Sequence, residues 1–298
     1  MLGAAAGGGL PQWNCACPNC RDARLGRIPP LTQSSVAIGD DAGRWFLVNA
    51  SPDLPAQIRA CPDLNPGQTV PRGTPISEVL LTNADLDHVA GLLSLREGAR
   101  LRVHASKAVR DTLDASLGLT ALMESFCGID WVEPPTADFA PLPGCKEGRA
   151  SLVYRAVELP GHPPLFARGM TPDGVHNAAY CIMDTNTGGR LLLAPDVAGW
   201  NDALTGAMAA SDAVLFDGTF WSGDELQRFK PAASTAAEMG HLTIEDHSLA
   251  RLGALSARRK IYIHVNNTNP VLSLDSPERA AVAAAGIVVG YDGLEFEL

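Results

Sequence analysis

A chain of 298 residues with 46% hydrophobic and 19% charged residues has the composition of an ordinary globule, long enough to close a substantial core. Its formal net charge of -10 argues against a nucleic-acid-binding surface, which needs a basic stripe. It offers neither the ~20 consecutive apolar residues that span a bilayer nor a basic, apolar and cleavable N-terminal signal, so a cytoplasmic protein with no membrane partner is expected.

The opening stretch MLGAAAGGGLPQWNCACPNC places Gly7, Gly8 and Gly9 where a tight turn with positive φ is expected. No Lys-Ser/Thr pair follows, so these glycines are not a phosphate-binding loop. Cys15, Cys17 and Cys20 come next as C-x-C-x2-C. Seven cysteines is an odd number, and three within six positions form a metal pattern, not a disulfide framework. A compact turn of thiolates grips zinc at structural sites, with a fourth ligand from a distant part of the chain.

Residues 34–38 and 44–49 flank Gly39-Asp40-Asp41-Ala42-Gly43 and read as a hairpin. A helix at 54–60 follows, with Asp53 at the N-cap position. Beyond a Pro/Gly-rich loop at 62–74 lies the stretch richest in chemistry, 79–98. A buried strand ends in Thr82, then Asn83, Asp85, Asp87 and His88 crowd into six positions. Val89, Leu92, Leu93 and Leu95 then give a helical apolar face. Alternate residues of an extended loop point the same way, so Asn83, Asp85 and Asp87 can converge, with His88 adding an imidazole. Such a set suits a metal ion; the alternative is an acidic cap on a helix N-terminus.

Strands are expected at 101–105, 127–132 and 151–159, with a helix at 107–117 and a Pro-rich loop at 134–144. His104, at an alternating strand position, reads as a structural histidine. The strand 151–159 ends in Pro160-Gly161-His162, a turn-borne imidazole with little apolar cover, which favours a functional role. His176, on a loop, has no assigned role. A hairpin of 180–184 and 190–193 delivers Ala194-Pro195-Asp196. Helix 201–209 and strand 213–216 lead to the turn Asp217-Gly218-Thr219. His241 then precedes helix 243–254. Strand 260–263 ends in His264, and helix 277–285 and strand 287–289 complete the chain. Polar residues therefore recur at strand C-termini: Asp53, 85–88, His162, Asp196, Asp217 and His264. Two mixed sheets packed face to face, with helices outside, would bring these ends to one rim. The expected organisation is one α/β domain over 1–298, with a cysteine-rich loop at about 7–24.

On these residues the chain resembles the metallo-β-lactamase superfamily. That family's signature is H-x-H-x-D-H after a strand, with an Asp upstream, a Gly-His downstream, and a strand-end Asp and His beyond. The matching positions are Asp53, Gly161-His162, Asp196 and His264. Asn83-x-Asp85-x-Asp87-His88 departs from the signature by replacing both leading histidines, which in the family hold a first metal with the Gly-His. The second metal position survives as Asp87, His88 and His264. Two imidazoles and a carboxylate with open positions suit non-haem Fe(II) and oxygen chemistry. Asp196 could add a bridging or fourth oxygen, and Asp53 could accept a hydrogen bond from a ligating histidine.

The segments AAGGG, PQWNC, NASPD, GLLSLREG, MGHL and IHVNNTNP, spread from end to end, are similar to the pyrroloquinoline quinone (PQQ) biosynthesis protein B family. That resemblance implies a metallo-β-lactamase-like αββα sandwich, structural Zn(II) at Cys15, Cys17 and Cys20, and a role in making PQQ. It implies Fe(II)- and O2-dependent hydroxylation of the tyrosine ring of a Glu-Tyr-derived precursor. The alternatives are a carrier of PQQ or its precursor to the periplasm and, third, a zinc-dependent hydrolase. The implied partners are a dipeptide precursor and O2, with a homodimer left open. In related phosphodiesterases a His completes the cysteine site, and the matching position here is Asn267. Phosphodiesterase relatives also keep a His at the pocket mouth, matched here by His241, a candidate substrate contact that joins Asp85 as a candidate to move protons beside Asp87, His88 and His264. Asn83, Asp53, His162, Asn266 and Asn269 are candidates for the substrate pocket.

Overall fold

The computed structural model describes residues 1–67, 72–142, 151–169 and 174–298. Parts of the loops expected at 62–74 and 134–144, and of the loop ahead of His176, lie outside the described residues. The first sheet comprises β1 (Val36–Gly39), β2 (Trp45–Val48), β3 (Ile76–Leu80), β4 (Leu101–His104) and β5 (Ile129–Val132), in that spatial order. After the antiparallel β1–β2 hairpin, its pairs are parallel. The second sheet comprises β6 (Ala140–Pro141), β7 (Leu152–Leu159), β8 (Asn177–Asp184), β9 (Arg190–Ala194), β10 (Ala213–Asp217), β11 (Arg259–Ile263) and β12 (Val288–Val289). It is an antiparallel meander from β6 to β9 and parallel from β9 to β12.

Parallel pairs need crossovers, and the helices supply cover for the outer faces: α1 (Pro18–Arg24), α2 (Leu54–Ala60), α3 (Leu86–Val89), α4 (Lys107–Leu117), α5 (Leu119–Glu124), α6 (Asp202–Ala209), α7 (Leu249–Gly253) and α8 (Pro277–Ala284). The period-two alternation of strand side chains sorts the core into three layers. Leu191, Leu193, Leu215, Ile261 and Ile263 meet Phe46, Val48 and Leu80 between the sheets. The alternate residues Leu192, Val214, Phe216 and Tyr262 face outward, onto Leu204, Leu252 and Val282 of α6, α7 and α8. On the far side Leu47, Val79 and Val103 pack with Leu54, Val109, Leu113 and Met123. The result is the expected αββα sandwich.

The helix expected from the apolar face at 89–95 does not form as such. The single α-turn α3 runs straight into a 3-10 helix, Ala90–Glu97. Gly91 gives the reason: its amide donates to the Ala50 carbonyl at 2.9 Å, and a Cβ there would lie 2.2 Å from the Ser51 oxygen. Tertiary contact with the loop after β2 thus overrides the local pattern. Helix 243–254 likewise begins as a π-turn, Ile244–Ser248, before α7. Three unexpected elements, α1 inside the cysteine-rich stretch, α5 and β6, also appear; Gly118, with φ 59°, ends α4 and lets α5 restart at once. Among the described residues no helix is long and apolar enough to cross a membrane.

Candidate metal centre

Adjacent parallel strands deliver their C-termini to one edge, and β9, β10 and β11 deliver Asp196, Asp217 and His264 there. Across from them β3 opens into the loop 82–88. Two non-glycine residues with positive φ flank the rim, Asn49 (62°) and His264 (56°). Each costs on the order of 1 kcal/mol of backbone strain, and each has a role at the edge. The Asn49 carboxamide clasps Thr82, accepting from its amide at 2.9 Å and donating to its hydroxyl at 3.0 Å. His264 turns sharply out of β11 and is followed by Val265, whose amide donates to the Ala4 carbonyl at 2.9 Å. The N-terminal stretch therefore runs beside the centre, and a Cβ on Gly7 would lie 3.2 Å from Asp87 Oδ2.

Asp87, His88 and His264 each offer one ligand atom, all within 4.8 Å of one another. His264 Nε2 lies 3.2 Å from Asp87 Oδ2, although 177 positions separate them in the chain. The proton positions follow from the partners. Asn83 Nδ2 donates to Asp196 Oδ2 at 2.8 Å, so Asn83 Oδ1 accepts from His88 Nδ1 at 2.8 Å. The proton of His88 is then on Nδ1, and among the described residues its buried Nε2 has no hydrogen-bond partner. A bare, buried nitrogen costs about 1–3 kcal/mol if nothing occupies it; a cation beside Asp87 and His264 would satisfy it. At His264 the Thr219 hydroxyl gives its proton to Asp217 Oδ1 at 2.6 Å and so accepts from His264 Nδ1 at 2.8 Å. Both imidazoles thus turn Nε2 the same way, and the donor chemistry fits a divalent transition metal.

A second set, Asp196, His241 and His264, also lies within 4.8 Å. A neutral imidazole offers one lone pair, so the two sets cannot each hold an ion through His264. His241 is occupied on its other side, where Nδ1 donates to Asp217 Oδ2 at 2.8 Å.

The charges around the centre are strongly coupled to burial. Burial alone would raise the Asp87 carboxyl, but His88 and the His264 hydrogen bond outweigh it and hold it below the usual carboxylate range. Burial keeps His88 below the ordinary imidazole value against the pull of Asp196 and Asp87. His264 is pushed the other way, up to about 10, because Asp196, Asp87 and Asp217 outweigh its burial. An arriving cation must displace that proton. Burial, followed by repulsion from Asp196 and Asp87, lifts the Asp85 carboxyl to about 7. His241 is raised too, since Asp217 more than offsets its burial.

The structure sorts the remaining expected residues plainly. Asn83 is a hub that bridges Asp196, His88 and the Asp85 amide, not a donor to an ion. Asp85 stands outside both donor sets and lines a cavity of about 670 Å³, open mouth included, together with Asn83, His162, Asp196 and His241. His162 is exposed at its rim. Asp53 neither caps α2 nor supports a histidine: its carboxylate accepts from the Gln33 amide and side chain at 2.9 and 3.0 Å. The supporting oxygens come instead from Asn83 and Thr219. Asn266 and Asn269 are not cavity residues. Asn266 donates to Thr268 Oγ1, and Asn269 spans the Gly218 and Thr219 carbonyls while capping Val271. Buried strand-end turns need such internal partners. His104 is fully buried between Tyr154 and Glu78. Asp217 and Thr219 are the organising residues: the sequence places Asp217 at a strand end but assigns no role to it or to Thr219.

The three cysteines form a separate cluster within the same 4.8 Å criterion. The Asn267 side-chain nitrogen lies 3.1, 3.6 and 3.3 Å from the sulfurs of Cys15, Cys17 and Cys20. The carboxamide presents its donating nitrogen to the three sulfurs, not the oxygen that a fourth ligand from Asn267 would have to supply.

Comparison with known proteins now bears on this geometry. The β-lactamase superfamily domain matches residues 44–265. Coenzyme PQQ synthesis protein B of Cupriavidus taiwanensis is 41% identical, over all of this chain and 98% of its own length, and that of Cupriavidus necator is 42% identical over the same shares. The chain belongs to the coenzyme PQQ synthesis protein B family, within the β-lactamase superfamily. A crystal structure described as Zn(2+)-bound PqqB from Methylobacterium extorquens superposes with a TM-score of 0.88 at 36% identity, covering all of this chain and 98% of that one. A diphosphatase from the PhnP family, 17% identical with a TM-score of 0.67 over 100% of this chain and 95% of its own, shares the fold. The superfamily match spans the whole histidine centre, from Asp85 to His264, and leaves the cysteine turn and Asn267 outside. Those belong to the full-length likeness to PQQ synthesis protein B.

Proposed function

We propose that the chain works in the synthesis of coenzyme PQQ, the role its curated relatives are named for, as an Fe(II)- and O2-dependent hydroxylase. Its substrate in this reading is the tyrosine ring of a Glu-Tyr-derived precursor. The supporting observation is the set Asp87, His88 and His264, whose His264 also clusters with Asp196 and His241, two residues of the cavity wall, with Asn83 and Asp85 standing where a second ion would need histidines. Bound Fe(II) supplies oxygen activation at positions the three side chains leave open.

The chain's own residues do the remaining work. Asn83 and Thr219 hold the two ring nitrogens that face away from the ion and so fix both imidazole planes. Asp85, titrating near neutrality, is suited to take or return a phenolic proton. Asp217 holds His241 in place at the cavity wall. Each ring hydroxylation consumes one O2, two protons and two electrons from an external reductant, and releases one water.

Anaerobic loading with Fe(II), followed by O2, a reductant and a Glu-Tyr precursor, should raise the product mass by multiples of one oxygen. An anomalous edge scan should place iron at Asp87 and zinc at the cysteines. Absence of oxygen uptake with every tyrosine-containing precursor would overturn the hydroxylase. Tight PQQ binding that survives Asp87→Ala would then favour the carrier.

A further inference from the structure

The cavity beside the histidine centre has an acidic inner wall. Asp85 and Asp196 lie there, and Glu238 is nearer the mouth. One side chain of fixed positive charge shares the lining: among the described residues Arg168 is the only Lys or Arg there. Glu238 is engaged elsewhere, accepting from the Thr235 amide at 2.8 Å. Among the described residues Arg168 has no hydrogen-bond or ion-pair partner, and its side chain is exposed at the rim.

A neutral substrate would have no use for a cation here, and an anionic one would be repelled by the wall without it. A guanidinium presents a planar fork that matches a carboxylate with two parallel hydrogen bonds. We infer that Arg168 anchors a substrate carboxylate at the mouth, so that the cavity takes an amino-acid-like or peptide acid with its ring toward the centre. Arg168 is then a specificity residue, and Lys would replace it only in part. The inference rests on the reading of this cavity as the substrate site.

Calorimetric titration of the full-length, zinc-loaded protein tests it without any turnover. The probes are Glu-Tyr, its C-terminal amide and its side-chain methyl ester. The wild type should bind the free acid roughly two- to fivefold more tightly than at least one neutralised form, the upper part of the range for a solvent-exposed charge pair, with the gap narrowing as ionic strength rises. R168Q should erase the preference, R168K should retain part of it, and both should melt as the wild type does. Equal affinity for all three ligands in the wild type overturns the inference, and so does a preference that survives R168Q. Binding of none of the three by the wild type overturns the cavity reading and the inference together.

Discussion

The cysteine turn and the strand-end triad are made of opposite materials and sit in opposite settings. Cys15, Cys17 and Cys20 come from the turn before α1, its N-cap and its first turn, and the Asn267 carboxamide nitrogen faces all three. Asp87 and His88 come from α3 beyond the end of β3, and His264 follows β11; His264 also clusters with Asp196 and His241, which line the open cavity. Soft donors in a closed cluster suit a structural ion; mixed nitrogen and oxygen donors with free positions suit chemistry. The difference separates holding from reacting by donor type and access.

The strongest way to break this contrast is to remove a triad member. Asp87→Ala or His264→Ala should lower turnover by on the order of 10³-fold or more and strip the cavity of its ion. Elemental analysis should still find zinc at the sulfurs, and the melting curve should move little. Retention of both ions would dissolve the distinction. Cys20→Ser should do the reverse. Loss of a buried thiolate should destabilise the fold by about 3 kcal/mol or more, read from denaturant midpoints, and a chelator should shift the wild type in the same direction.

Smaller effects sharpen the picture. Asn83→Ala releases His88 Nδ1 and should weaken ion retention at the triad by about 10- to 100-fold in competition titrations, without affecting the sulfur site. Asp85→Asn tests the charge on the cavity wall. Burial raises this carboxyl from 3.8 to about 7, so the folded chain holds a proton that the unfolded chain has released across that window. Wild-type stability therefore falls as pH climbs through it and levels off above. In chelator-treated protein, Asp85→Asn should match the wild type near pH 4 and exceed it by about 1–2 kcal/mol near pH 8, as measured by urea unfolding.

Much of this was legible where local physics decides. α2 and α4 lie at their expected bounds because Pro55 near the start of one, and Ser106 and Gly118 around the other, mark helix ends in the sequence itself. The strand-end positions of Asp87, His88 and His264 followed from alternation and turn residues. What escaped was partner choice. Nothing local tells Asp53 to accept from Gln33, or Asn83 to serve as a bridge instead of a ligand, because those partners arrive from other strands. Gly91 misled for the same reason: the apolar spacing promised a helix, and a backbone approach from residues 50–51 prevented it. Asp217 and Thr219 acquired importance only when β10 came to lie beside β11.

The strained residue at the end of β11 carries a consequence for how the protein is made. On the ribosome the acidic loop 83–88 is translated long before the ring at 264, and contacts of such wide sequence separation form late. Until then a passing cation meets one acid and one imidazole, a grip with little power to choose between metals. Selective loading would therefore wait until the stretch around 264 is made, when Ala4 and Ala6 clasp Val265 from either side and the door on the centre is hung.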